Sequence, residues 1–256
     1  MKKGFLFLVV FIGLMQVQLL WGQTAPELMQ DAQNNLESKN YVRARALFLL
    51  AYQGFANRGD YKQAVEAGSA VTSLYYRENL YDLAFEFCRR MSEYVGAEEQ
   101  KQQRQLYAQR FQISRERLRM YIKLRNQPQA EGQLNILEAL KNQAGDGSLT
   151  NDWLTAQAEL YYTFGRNQEG DAAFQKLIEA AKSQKNYAAV NERYDDLIEV
   201  ARFGNNTALM EQACKGLMNW NDSVKQLTAK DELGALQQKY DESLQLIEEK
   251  ESSLST

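Results

Sequence analysis

Apolar positions along this chain return with the period of a helix. After Tyr41 come Ala44, Phe48 and Ala51, at offsets of 3, 7 and 10, which fall on one helical face. After Tyr81 the same places hold Ala84, Cys88 and Met91. Small alanines let a neighbouring helix approach closely, and the larger side chain fills the gap. No stretch sustains the period-2 alternation of Val, Ile and Thr that marks strands. Two prolines occur in 256 residues, and the commonest residues are good helix formers. The predicted fold class is all-α.

Polar turns punctuate these helices at regular intervals. Asn40-Tyr41-Val42-Arg43-Ala44 recurs as Asp60-Tyr61-Lys62-Gln63-Ala64 and again as Leu80-Tyr81-Asp82-Leu83-Ala84. Each is a Tyr-x-x-Ala at a helix start, and the starts stand 20 residues apart. A helix of about fifteen residues and a short turn occupy that distance. The turns read as Ser38-Lys39-Asn40, Asn57-Arg58-Gly59-Asp60 and Arg77-Glu78-Asn79. Regular helical hairpins of this kind predict a superhelical array, an α-solenoid.

The same residues resemble the tetratricopeptide repeat. Lys39-Asn40-Tyr41, Ala44, Phe48 and Ala51 are similar to its second helix behind a Gly-Asp-type turn, as are Gly59-Asp60-Tyr61 and Ala64. A further unit covers 151–184: Leu154, Ala158 and Tyr161 resemble the first helix, and Gly165, Gly170, Phe174 and Leu177 the second. The proline that usually closes each repeat is missing. The early period is nearer forty residues per hairpin than the usual 34 or so. The family's ligand-contacting positions therefore do not carry over. The resemblance implies a TPR-like array of antiparallel hairpins that binds proteins or peptides.

The later chain continues the helical pattern. Residues 98–125 read as one long polar helix, and Pro128 suits the first turn of the next, through Leu134, Leu137 and Leu140. Gly145-Asp146-Gly147-Ser148 is the plainest turn. Helices over 187–203 and 207–218 form the last predicted hairpin. A separate helix follows over 222–254, with neither proline nor loop residues. Its Leu233, Leu236, Tyr240, Ile247 and Leu254 fall at 0, 3, 7, 14 and 21. This is an a/d seam, weakened by Ser243 and Lys250 at d positions.

At the other end, Met1-Lys2-Lys3 precedes an almost wholly apolar run from Gly4 to Met15, followed by Trp21-Gly22-Gln23. That fits a cleavable secretory signal ending at Gly22 better than a membrane span, because the run is too short. The expected organisation is a signal over 1–22, a TPR-like repeat domain over 23–221, and a C-terminal helix over 222–256 acting as a coiled coil or membrane-proximal connector. The expected location is the periplasm or the extracytoplasmic face of a membrane. A signal, divergent repeats and a connector-like helix through Lys239-Tyr240-Asp241-Glu242-Ser243-Leu244 together resemble the periplasmic sensor region of membrane histidine kinases of the Bacteroides group. That resemblance implies the input half of a two-component signal-transduction protein. The alternative is a free-standing periplasmic adaptor in an envelope complex.

Composition narrows the chemistry. The chain has no histidine, which removes Ser-His-Asp and Cys-His catalysis and imidazole metal sites. Cys88 and Cys214 lie far apart in sequence and are expected as two buried, unpaired thiols. A formal charge of −3 with interspersed signs argues against nucleic acid as a partner. No catalytic, cofactor or metal site is expected, and the chain reads as a non-enzyme. Membrane association is expected only if the chain continues past Thr256 or the signal stays uncleaved.

Two groups of residues stand out as candidate binding surfaces. The stretch 101–125 carries eight Lys or Arg and one acidic residue, Glu116. Arg104, Arg115, Arg119 and Lys123 line up as an anion or acidic-peptide strip, unless they form a solvated face beside acidic neighbours. The pairs Tyr75-Tyr76 and Tyr161-Tyr162, with Trp153 and Trp220, read either as groove lining or as hairpin packing. Leu233, Leu236, Tyr240, Ile247 and Leu254 are the candidate dimer seam.

Overall fold

The computed structural model describes residues 23–184, 186–203 and 206–254. The signal reading over 1–22 lies outside the described residues. Every regular element among them is a helix: α1 (Ala25–Glu37), α2 (Tyr41–Asn57), α3 (Tyr61–Arg77), α4 (Tyr81–Gln102), α5 (Tyr107–Lys123), α6 (Gln127–Ala144), α7 (Thr150–Thr163), α8 (Asn167–Gln184), α9 (Tyr187–Phe203) and α10 (Thr207–Leu254). The chain is therefore all-α, and it divides into two compact units between Leu160 and Tyr161.

One backbone device accounts for the twenty-residue rhythm. Lys39, Gly59 and Asn79 all adopt left-handed φ, at 61°, 72° and 61°. The next N–H in each case reaches back five residues. Asn40 donates to the Asn35 carbonyl at 2.8 Å, Asp60 to Phe55 at 3.0 Å, and Leu80 to Tyr75 at 2.9 Å. This is the Schellman closure of a helix C-terminus. It reverses the chain within three residues, so consecutive helices must lie side by side. The closure recurs at Asn126 to Tyr121 in the first unit and at Arg166 to Tyr161 in the second. Two of the helix starts that follow such turns carry a side-chain cap, although Asn40 at the start of α2 makes none. The Asp60 carboxylate accepts from the Gln63 N–H at 3.2 Å, and the Asn126 side-chain oxygen accepts from Gln129 at 3.3 Å.

In the first unit each helix from α1 to α6 packs on the next, and α3 also packs on α5. The periodic residues form the core: Ala44, Phe48, Ala51, Ala64, Ala84, Cys88 and Met91 are all buried. Gly68 lets α4 approach α3, since a Cβ there would collide with Met91 and sit 3.2 Å from the Phe87 ring. In the second unit α9 packs on both α8 and α10, around Phe174, Leu177, Val190, Tyr194, Leu197 and Leu209.

Three expectations are corrected. The stretch 98–125 is not one helix: α4 ends at Gln102, Gln103 takes φ 52°, and α5 starts at Tyr107. The buried Glu99 carboxylate holds this turn, accepting the Leu106 N–H at 2.8 Å and the Arg110 Nε at 2.7 Å. Residues 207–218 and 222–254 are not separate elements, because α10 runs unbroken for 48 residues; the polar cluster Asn219 to Asp222 contains nothing that stops a helix. Both cysteines are free, as the spacing implied, but only Cys88 is buried; Cys214 is exposed.

Candidate functional site

The basic strip of the first unit faces inward. Arg115, Arg119 and Lys123 follow one another at one-turn spacing on α5. The face they share looks towards α7 and α3 rather than water. Arg115 Nη1 lies 3.6 Å from Asp152 Oδ1. Arg119 Nη1 lies 3.7 Å from Glu116 Oε1, and its Nε 3.9 Å from Oε2 of the fully buried Glu159. Lys123 donates to the Tyr76 carbonyl at 3.4 Å and stands 4.7 Å from the centroid of that ring. Burial lowers the Lys123 pKa. It raises that of the Tyr76 phenol, with the Glu159 charge as the next cause. Arg104 sits apart from the strip, in the α4–α5 turn, with its guanidinium donating to the Tyr61 hydroxyl. These cations thus serve carboxylates, a carbonyl and ring faces of their own unit.

The aromatic residues divide in the same manner. Tyr76 is buried. Tyr75 lies under the Arg45 guanidinium at 4.9 Å. Trp153 carries the Lys141 ammonium 4.1 Å above its ring, and Tyr161 the Arg166 guanidinium at 4.2 Å. Trp220 is buried and meets Tyr187 edge-on at 6.1 Å. Tyr162 is different, because it borders open space.

That space is a cleft of about 380 Å³ in the second unit, bordered by Tyr162, Asp171 and Phe174, by Tyr194 on α9, and by Gln212 and Lys215 on α10. One carboxylate organises its polar end. The Tyr162 hydroxyl donates to Asp171 Oδ1 at 2.8 Å, and Gln212 Nε2 donates to the same oxygen at 3.0 Å. Three rings form the apolar wall: Phe174 and Tyr194 lie 4.7 Å apart, and Tyr162 and Phe174 6.2 Å apart, between centroids. A neighbouring recess of about 260 Å³ shares Tyr162, Gln212 and Lys215 and adds Glu211. Lys215 Nζ is bound to Glu211 Oε1 at 2.6 Å.

Two glycines set the rings in place. A Cβ on Gly170 would lie 2.6 Å from the Tyr162 ring, and one on Gly216 2.5 Å from the Tyr194 ring. Both glycines are within helices, where glycine costs roughly 1 kcal/mol relative to alanine. The close ring contact explains why they stand there. Burial raises the pKa of both phenols, and Asp171 pushes each in the same direction. The hydroxyls therefore remain neutral hydrogen-bond donors across the neutral range.

Of the candidate binding residues read from the sequence, only Tyr162 borders this cleft. Asp171, Phe174, Tyr194 and Gln212 were not flagged as site residues, although the helix-interior glycines were a signal for the ring seats. The exposed seam residues lie elsewhere on α10: Leu233, Leu236 and Tyr240 are 69%, 65% and 60% exposed. The side chains of Ile247 and Leu254 lie outside the described residues. Among the described residues no cluster of three or more His, Cys, Asp or Glu is placed to hold a metal ion. No helix among them is long and apolar enough to cross a membrane. Comparison with protein-family models and with curated proteins finds no match.

Proposed function

We propose that this chain is a non-catalytic, extracytoplasmic binding and sensing module. On this reading its hairpins form a TPR-like array, and the chain is the input region of a two-component membrane protein. The observation that carries the reading is the free half of α10. From Thr228 to Glu242 every side chain is exposed, and yet Leu233, Leu236 and Tyr240 repeat at coiled-coil spacing. A solitary helix in water draws little stability from its own backbone. An apolar stripe on it gains only when covered, and a second copy of the same helix covers it with matching geometry. The repeat-like Schellman turns support the array, and the apolar segment over 1–22 supports export. The polar groups that pack tightly in the first unit supply structure rather than acid-base chemistry, which supports a role in binding. A ligand signals through such a module only if it binds two helix arrangements with different affinity.

Sedimentation equilibrium of the protein over a wide concentration range tests the pairing. Dimerisation is expected, and it is expected to vanish when Leu233, Leu236 and Ile247 are changed to Asp. A wild-type protein that stays monomeric at high concentration overturns the reading. The second reading is a free-standing periplasmic adaptor that mediates protein–protein contacts. The gene's reading frame beyond Thr256 separates the two: an apolar run of about twenty residues favours the sensor, and a stop codon favours the adaptor.

A further inference from the structure

We propose that the cleft among α8, α9, α10 and the end of α7 is a binding site for an organic monocation, an ammonium or guanidinium group on an apolar stem. The proposal rests on the reading of the chain as a binding module and names the ligand class of one site in it.

Three features of the cleft agree. Its charged groups are Asp171, Lys215 and the adjoining Glu211. Lys215 is tied to Glu211 at 2.6 Å, so their charges offset and Asp171 sets the sign. A single positive charge neutralises the site. Next, the wall opposite is aromatic. Tyr162, Phe174 and Tyr194 line the space. Phe174 and Tyr194 are largely buried against each other, and Tyr162 is the most open of the three. Aromatic rings attract cations through their quadrupole, more strongly as water is excluded. The phenols add no negative charge of their own, because burial holds them protonated. Finally, the carboxylate is held in position. Tyr162 and Gln212 both bind Asp171 Oδ1, which restrains the group, and Asp171 itself is exposed. A cavity of about 380 Å³ suits one side chain or a small amine.

Two sources offer this chemistry: the Arg or Lys side chain of a peptide, and a free small amine. The chemistry alone does not separate them, but probes do. Isothermal titration calorimetry of the protein is the test, with butylguanidine, acetyl-arginine amide, a short peptide carrying a single Arg between alanines, and acetyl-glutamate amide as the opposite charge. Saturable binding of the cationic probes is expected, weakening with added salt, with none for the glutamate amide. A peptide that binds about tenfold tighter than butylguanidine assigns the site to a polypeptide partner, and equal affinities assign it to a small free cation.

Asp171→Asn keeps an acceptor for Tyr162 and Gln212 but removes the charge. It is expected to weaken the cationic probes about tenfold. Gly216→Ala moves the Tyr194 wall and is expected to weaken them by a different route. Circular dichroism and the sedimentation profile report whether each variant stays folded and self-associated. The proposal is overturned if no cationic probe saturates, if the glutamate amide binds as well, or if a folded Asp171→Asn protein binds unchanged. None of these results bears on dimerisation, so the site can fail while the sensor reading stands, and the reverse.

Discussion

The two units contain the same polar-aromatic ingredients and use them in opposite ways. In the first, Tyr76, Glu116, Glu159, Arg119 and Lys123 are folded against each other and largely closed to water. In the second, Tyr162, Tyr194, Asp171 and Gln212 make a comparable cluster, but one side is left open as a cleft. A carboxylate in the first position has exchanged water for a guanidinium of its own chain. A carboxylate in the second still has a face to offer. Removing one partner of a buried pair leaves an uncompensated charge in low dielectric, whereas removing an exposed one costs little. The contrast is therefore measurable, residue by residue.

The largest expected difference is between Glu159→Ala and Asp171→Ala. The first removes the buried carboxylate beside the partly buried Arg119 and is expected to destabilise by about 3 kcal/mol, the low end for a broken buried pair because Glu116 remains nearby. The second is expected to cost below about 1 kcal/mol. Urea denaturation followed by circular dichroism measures both. Equal losses would mean that the open cluster is as structural as the closed one.

Next come the glycines beneath side chains. Gly68→Ala drives a Cβ into Met91 and Phe87, in a closed core with no room to yield. Overpacking of that kind is expected to cost about 1–3 kcal/mol. Gly216→Ala meets the Tyr194 ring, which borders the cleft and has space to move. The helix also gains from losing a glycine, so the net change is expected to stay below about 1 kcal/mol. A larger loss at 216 than at 68 would reverse the assignment of which ring is free to shift.

The thiols sharpen the same comparison. Burial pushes the Cys88 thiol from its ordinary 9.0 up to about 12, while Cys214 lies exposed. A thiol reagent at mildly alkaline pH is expected to titrate Cys214 in the native protein and both cysteines in denaturant. The sign of the pH effect follows. Below pH 9 Cys88 is protonated folded and unfolded, and stability is unaffected. Between 9 and about 12 only the unfolded chain loses that proton, so the Cys88 contribution falls as pH rises, by about 1.4 kcal/mol per unit. Tyr76, also raised by burial, adds to the loss at higher pH. Flat stability across that window would place Cys88 in contact with water.

How far these features were legible depends on the range of the interactions that make them. The turns at Lys39, Gly59 and Asn79 are local, and polar or glycine residues mark them in the sequence. The turn at Gln103 closes by the same five-residue backbone bond, from the Arg104 N–H to the Glu99 carbonyl at 3.2 Å. Its residues are also good helix formers, however, and the Glu99 side chain that reaches forward to Leu106 and Arg110 is a longer-range contact. The spacing of Arg115, Arg119 and Lys123 could be read, but the face they occupy could not. Charged residues suggest solvent, and the carboxylates that draw them inward lie up to 40 residues away, on α7. The cleft follows the same rule: Gln212 meets Asp171 across 41 positions. Helix interiors of alanine and aromatic residues were legible because their period is intrinsic to the chain.

The smallest expected effect on stability is at Leu236, and it is the most informative about function. Its side chain is exposed in the single chain, so Leu236→Asp removes no packing from the fold and is expected to change unfolding free energy by less than about 0.5 kcal/mol. In a paired helix the same change buries a carboxylate on the seam, opposite its own copy, where two like charges repel. Sedimentation should then show monomers while dilute unfolding curves overlay those of the wild type. Met91→Ala in the closed core is the converse control: it is expected to cost roughly 2–5 kcal/mol without shifting the dimer constant of the protein that remains folded. If Leu236→Asp instead destabilises the isolated chain as Met91→Ala does, the stripe is covered within the monomer. Its exposure would then offer no place for a second copy.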